Sequence, residues 1–306
     1  MWGVHVRVIK TFKTYEEQIE ILRSRGMLIG DVGTAIDQLR RVNYYRLSGY
    51  WYPFRKIQAS ADERRSDEFY QGTTLDAVLR LYAFDARLRA ATFTALAPIE
   101  LRVRALLGHG LGRVDERAHL RPERLNARAT TRTYAKWLAD YESRVANSHE
   151  EFVDHHKRQY GGALPVWVAV EILDWGGLVR LYGFSPRSVQ DDVADAFGLR
   201  GPQLESWLRT LNVLRNICAH HGRLFNRVHA LIPKLPRPGR YPDLDQAGSY
   251  TRTFGQLTLI QFLLRSGGER IGLLPAVVRT YPHVPIVPLG HLGAPMHWAD
   301  NALWRN

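Results

Sequence analysis

The longest run of apolar residues at three- and four-residue spacing, residues 74–109, commits this chain to helices before any other feature is considered. Pro98 falls inside it; proline removes one backbone hydrogen bond and crowds the preceding turn, so a kink or a division of the helix is expected there. Residues 165–184 are apolar nearly all round except for Glu171, Asp174 and Arg180, the pattern of a central bundle helix. Gly176 and Gly177 cost that helix about 1 kcal/mol each relative to alanine, so a close helix approach or a bend is expected to offset them. Further helices are expected at 14–30, opened by a Thr14/Glu17 capping box with Ile19, Leu22 and Met27 at helical spacing, and at 31–41. Others are expected at 133–145, through His155 and His156, and at 187–197. Neighbours on a helix point about 100° apart, so His155 and His156 read as a solvated pair and not as metal ligands.

Residues 59–71 and 110–131 read as polar, charged loops, the first of them mobile. Strand patterns are few, with a short hairpin at the aromatic block 43–55 the one candidate, so the architecture is mostly α. Beyond Asn226, Pro233, Pro236, Pro238 and Pro242 break any helix, amphipathic patterns return at 249–266 and 269–280, and a proline-rich tail follows. Three segments result: 1–58 with the aromatic block, a helical core at 72–230, and 231–306, an extension of helices and tail packed on that core.

A chain of 306 residues that is 45% hydrophobic buries a large core, which argues against disorder. Its formal charge of +12 and pI near 10.0 favour a polyanionic partner. Cys218 is the only cysteine, so no intrachain disulfide forms and a reducing cytoplasm is the expected location. Residues 1–13 lack the apolar core of a signal peptide, and no run approaches 18 uncharged apolar residues, so neither secretion nor a membrane span is expected.

The chemistry concentrates at residues 215–226, Arg-Asn-Ile-Cys-Ala-His-His-Gly-Arg-Leu-Phe-Asn, at the end of a helical pattern starting near Pro202. Drawn as a helix, Arg209, Asn212, Asn216 and His220 fall within roughly one quarter of the circumference, with Arg215 beside them. Trp207, Leu211, Val213, Leu214, Ile217 and Cys218 take the other side. His220 therefore lies in the polar arc and is the chemical candidate, whereas His221 lies among apolar residues and is expected in the core. The Arg-x4-His spacing is not itself the signal, since Arg104/His109 and Arg144/His149 repeat it; the flanking residues are.

On those residues the chain resembles the abortive-infection (Abi) family, whose helical proteins carry an Arg-Asn-x-Cys-Ala-His-His-x-Arg-Leu-Phe-Asn signature. The resemblance extends from about residue 14 to 227, through a Thr-Tyr-x-x-Gln-Ile start, the Tyr-Tyr-Arg-Leu-Ser-Gly-Tyr block at 44–50 and a Trp-x-x-x-Glu segment at 167–171. It implies a helical bundle of the type found in the HEPN group of metal-independent ribonucleases. It also implies phage defence through a toxic activity, in some members controlled by a noncoding RNA, and a cleft shared by the motifs of two subunits. It lends support to Glu100 or Arg102 facing the site; the residues themselves favour an ordinary i,i+4 ion pair between Glu100 and Arg104.

Between Glu205 and Asp243 there is no acidic residue, while Arg209, Arg215, Arg223, Arg227, Lys234, Arg237 and Arg240 all lie there. That stretch cannot build a carboxylate-held Mg²⁺ site, and no metal or other cofactor is expected. It suits RNA cleavage by the substrate's own 2′-hydroxyl, which needs a proton carrier and cations for the phosphorane charge. Histidine, with an unperturbed pKa near 6.5, fills the first role; arginine's fork fills the second. Arg215, Asn216 and His220 are thus the candidate catalytic residues, with His221, Arg223, Asn226, Glu100 and Arg104 supporting. Arg209, Arg227 and Lys234 are candidate RNA contacts, as are Tyr45 and Arg46 if the aromatic block stacks bases instead of filling a core. A single motif per chain calls for a homodimer, because in-line transfer benefits from two proton carriers. Two other readings stand: a module that holds a noncoding RNA without cutting it, and a structural scaffold in which Arg215 and His220 make buried ion pairs.

Overall fold

The computed structural model describes residues 10–58 and 65–305. It is mostly α: 63% of the described residues are helical, and the one sheet among them has two strands. The chain forms two compact units, one comprising residues up to Ala86 with Tyr281–Leu289, the other Arg87–Thr280 with Gly290 to the C-terminus. The division falls inside a helix and not at the polar stretch after residue 58.

In the first unit, α1 (Tyr15–Ser24), α2 (Val32–Arg41) and α3 (Tyr44–Trp51) lead into β1 (Arg55–Ile57) and β2 (Arg65–Phe69). The capping box on α1 is present: Thr14 Oγ1 accepts from the Glu17 amide at 3.2 Å, and the Glu17 carboxylate accepts from the Thr14 amide at 2.8 Å. The helix stops at Ser24, earlier than its periodicity suggests, because Gly26 turns with φ +90°; Met27 is then buried from outside the helix. Asp31 and Asn43 cap α2 and α3 by accepting from the Thr34 and Tyr45 amides. β1 and β2 are antiparallel, pairing Arg55 with Phe69 and Ile57 with Arg65. The stretch read as a mobile loop at 59–71 therefore contains a strand; its residues 59–64 lie outside the described residues. Asp67 receives Arg25 and Arg55 at 2.9 and 3.0 Å, so the charges that argued for a loop hold the hairpin in place.

The aromatic block divides. Tyr50, Trp51 and Phe54 are buried, and the Tyr50 hydroxyl donates to the buried Asp85 carboxylate at 2.6 Å, so these rings are core. Tyr45 is 84% exposed, and Arg46 lies over the Tyr82 ring at 5.8 Å.

α4 (Leu75–Val114) is one continuous helix of 40 residues through Pro98, so of the kink or division expected there the division does not occur. Proline at 98 leaves the carbonyl of Thr94 without its usual helical partner, and Thr94 is exposed, where water can replace it. The arginine-rich loop read at 110–131 begins only after Val114 and is built of three short 3-10 turns. In the second unit follow α5 (Arg132–Ala146), α6 (Glu151–Tyr160), α7 (Val166–Ile172), α8 (Trp175–Phe184), α9 (Arg187–Asp195) and α10 (Gly201–Ala219). The expected single helix at 165–184 is thus two. The break comes at Leu173–Asp174, not at the glycines, because Asp174 caps α8 by accepting from the Gly177 amide at 2.7 Å.

After α10 come the single turn α11 (Pro242–Asp245), then α12 (Thr253–Ser266) and α13 (Leu273–Arg279). Every residue of α12 from Thr253 to Leu264 is buried, so the central helix comes from the segment read as an extension. Its polar side chains donate to backbone carbonyls: Thr253 Oγ1 donates to the Leu224 carbonyl at 2.7 Å, and Gln261 donates to the Ile271 and Leu303 carbonyls at 2.7 and 2.8 Å, while the side-chain oxygens of Gln256 and Gln261 are buried without a partner among the described residues. Those hydroxyls and amides gave the sequence its amphipathic look. No helix among the described residues is long and apolar enough to cross a membrane.

Burial lowers the pKa of His119 and of His229 to about 4, the latter helped by Arg227 and Arg252. Both rings are therefore neutral in the folded protein near neutral pH and take up a proton on unfolding below about pH 6.5. Stability should be full above pH 6.5 and fall as the pH drops toward 4, by up to roughly 3 kcal/mol per histidine. Urea unfolding between pH 4 and 7 measures this, and a His119→Gln, His229→Gln double variant should flatten the dependence.

Candidate functional site

α10 carries the signature. Gln203 accepts from the Arg200 amide at 3.0 Å and Pro202 occupies the first turn, so the helix starts where the periodicity does. Trp207, Leu208, Leu211, Leu214 and Cys218 are buried, while Arg209, Val213, Asn216 and His220 are exposed. Residues 231–235 are strapped along the first half of the helix: Trp207 Nε1 donates to the Lys234 carbonyl at 2.9 Å, and the Lys234 amide donates to Ser206 at the same distance. Arg215 is half-buried, with its guanidinium 5.2 Å from the Phe93 ring and 3.5 Å from the Asn216 side-chain oxygen.

The helix ends at Ala219, one residue before the two histidines. His220 is its C-cap. The His221 amide donates to Cys218 O at 3.1 Å and the Gly222 amide to Ile217 O at 2.7 Å, the paired bonds of a Schellman motif. His221 occupies the left-handed position with φ +56°, a place usually taken by glycine. A Cβ at Gly222 would lie 3.0 Å from the Ile217 side chain and 3.1 Å from its carbonyl, close enough that Ile217 would have to shift. His221 is exposed, contrary to the core position expected of it. The physical reason is that a helical wheel does not apply past the last helical residue: the αL turn swings His221 off the apolar face.

Beyond the turn, Leu224 and Phe225 are buried, and Asn226 takes the second positive φ of any described non-glycine residue, +50°. Its side-chain oxygen accepts from Arg252 at 2.9 Å, and Arg252 also donates to the His291 carbonyl at 2.7 Å. The His229 amide donates to Thr251 O at 2.7 Å, and the Thr253 hydroxyl, which donates to Leu224 O, accepts from His229 Nε2 at 3.1 Å. The signature loop is thus tied to the start of the buried helix α12.

Among the supporting residues, Arg104 pairs with Glu100 and donates to the Val170 and Leu173 carbonyls, where it completes the end of α7. That is the ion-pair role, and neither side chain bonds to a signature residue among the described residues. Arg223 is half-buried and its carbonyl accepts from Arg227 at 3.3 Å. Among the described residues no group of three or more His, Cys, Asp or Glu side chains is arranged to hold a metal ion.

Sequence reasoning missed Phe93, Arg128 and Arg180. The last two flank a groove of about 610 Å³ between α8 and α10 that Arg209, Asn212 and Val213 also line. Arg180 stood out only as a charge on an otherwise apolar helix, and nothing in the local pattern marks Phe93 or Arg128; all three lie far from the signature along the chain.

The left-handed backbone at position 221 suits glycine and strains a β-branched residue, so a His221→Gly variant should melt above a His221→Val variant. His221→Val should lower stability by about 1–2 kcal/mol. Thermal and urea melts of the two variants give the comparison.

A family model described as Abi-like protein matches residues 37–226, more than half of the chain and all of the signature. No curated protein and no solved structure matches.

Proposed function

This chain belongs to the family of Abi-like proteins, and from that premise we propose that it is a metal-independent endoribonuclease acting in phage defence by abortive infection. The observation that carries the reading is the end of α10, where Arg215, Asn216 and His220 share a solvent-accessible edge within a segment free of carboxylates. His220 on the helix terminus is the proton carrier for the 2′-hydroxyl or for the leaving 5′-oxygen. Arg215, steadied over Phe93, meets the non-bridging phosphate oxygens, and Asn216 donates to the phosphate or to the imidazole. Attack by the 2′-oxygen on phosphorus breaks the bond to the 5′-oxygen and leaves a 2′,3′-cyclic phosphate. DNA, which lacks the 2′-hydroxyl, is not a substrate.

A lone chain offers one such histidine, and the reaction uses a base and an acid on opposite sides of phosphorus. The reading therefore includes an isologous homodimer that brings residues 215–226 of two chains to one cleft. Phe93, about two-fifths exposed, lies beside Arg215 and supplies apolar surface for that contact.

Incubation of the purified chain with labelled RNA in EDTA should yield cyclic-phosphate ends, and His220→Ala should abolish them while leaving the melting temperature nearly unchanged. Strict Mg²⁺ dependence or 5′-phosphate products would overturn the chemistry, and RNA bound without cleavage would favour a holding module. Mixed in equal amounts with wild type, the His220→Ala chain should reduce activity to about a quarter, the fraction of random dimers with two intact motifs. A reduction to one half would mean that each chain acts alone.

A further inference from the structure

The groove between α8 and α10 has features that helix packing alone does not require. Gly176 and Gly183, two turns apart on α8, face Asn212 and Glu205, two turns apart on α10. A Cβ at Gly176 would sit 3.5 Å from the Asn212 side-chain nitrogen, and one at Gly183 would sit 3.2 Å from the Glu205 carboxylate. A methyl group at Gly183 would therefore press on Glu205, and one at Gly176 would take up groove space in ordinary contact with Asn212, while each glycine costs the helix about 1 kcal/mol. Into the groove project Arg180 from α8 and Arg209 from α10, both exposed and neither in an ion pair among the described residues. Arg128, from the turn before α5, is held at the rim by Glu205 at 2.7 Å. That bond neutralises the one carboxylate lining the groove. Val213 and Leu231, each 41% exposed, give it apolar walls.

Two unpaired guanidiniums with apolar flanks fit alternating phosphates and base or ribose faces better than they fit an acidic peptide, which has no flat rings to lay against valine and leucine. The direction of the groove matters as well. Arg209, Asn212, Asn216 and His220 follow one edge of α10, so a strand leaving the groove past Asn212 reaches the end of the helix after about 10 Å. We propose that this groove binds single-stranded RNA on one side of the scissile phosphate, with Arg180 and Arg209 as its phosphate contacts and Asn212 as the link to the signature. The inference rests on the ribonuclease reading for its polarity along α10, and on the groove's own chemistry for the ligand.

The test measures fluorescence anisotropy of a labelled decauridylate whose riboses are all 2′-O-methylated, so that it cannot be cut by the 2′-hydroxyl route. Against the intact wild-type chain, an Arg180→Ala, Arg209→Ala variant should bind at least tenfold more weakly at low salt. Its slope of log affinity against log salt should be shallower by about 1.4, or 0.7 for each single-strand phosphate that an arginine no longer neutralises. Arg180→Lys, Arg209→Lys should retain most of the affinity and the slope. The inference is overturned if the double alanine variant keeps wild-type affinity and slope, or if Arg41→Ala, Arg158→Ala, two exposed arginines outside the groove, produces the same loss. It is overturned too if ATP displaces the oligonucleotide at concentrations where equimolar unlabelled RNA does not, which would make the groove a nucleotide site. The two readings fail separately: binding that depends on Arg180 and Arg209 in a chain that cuts no RNA keeps the groove and removes the nuclease, and cleavage without that dependence does the reverse.

Discussion

The tie between the signature loop and α12 is the constraint on which the rest of the site depends. A helix that ended in solvent would leave its last carbonyls to water and its capping histidines free to sample many positions. Here the two Schellman bonds close α10, and the chain then has to cross from the helix end to the buried core within a few residues. Thr253 and Arg252 receive it: the hydroxyl of one donates to Leu224 O, and the guanidinium of the other bridges Asn226 and the His291 carbonyl. Both partners sit at the start of a helix that is buried from Thr253 to Leu264, so they are anchored by packing and not merely by hydrogen bonds. The strained backbone of the signature, with φ positive at His221 and Asn226, is held by that anchorage.

The same arrangement explains why the family resemblance and the fold have different extents. The family match stops at Asn226, yet the helix that fixes the position of Asn226 begins at Thr253. The C-terminal segment is therefore part of the support for the site. Trp304 near the C-terminus adds to it, stacking on Phe254 with ring centroids 4.4 Å apart and donating to the Thr258 hydroxyl at 3.1 Å. Buried threonine and glutamine side chains serve α12 as long as each finds a backbone carbonyl, and their donors do so at Leu224, Tyr250, Phe254, Ile271 and Leu303.

Glycine has two distinct roles around α10. At Gly222 a methyl group would press on Ile217, so glycine lets the turn close without moving that side chain. Gly183 does the opposite and leaves space that the Glu205 carboxylate of the neighbouring helix occupies, whereas a methyl group at Gly176 would meet Asn212 only at ordinary contact distance. The helix-weakening effect of the α8 glycines is offset in part by the tight cap at Asp174 and by the Trp137 indole, which donates to the Gly177 carbonyl at 2.9 Å.

Periodicity and capping are local properties, and what they govern was readable from the sequence alone. The mostly α class, the start of α1 at Thr14, the cap at Asp31, the span of α5 and the amphipathic first half of α10 all follow from residues within a turn or two of one another. The chemical character of residues 215–226 follows in the same way, since a stretch without carboxylates and rich in arginine has that character in any fold. What the tertiary structure decided depends on long-range contact. His221 is exposed because α10 ends before it and an αL turn redirects it, and a helical wheel has no means of knowing where the helix stops. The charged stretch at 65–69 became a strand because its backbone pairs with β1 and Phe69 is buried, with Asp67 receiving Arg25 and Arg55 at the surface. α12 became the central helix because its polar side chains met carbonyls from as far along the chain as Leu303, which turned an amphipathic pattern into a wholly buried one. Arg128, Arg180 and Arg209 meet at one groove only after α8 and α10 have packed, because each comes from a different helix or turn and nothing in sequence connects them.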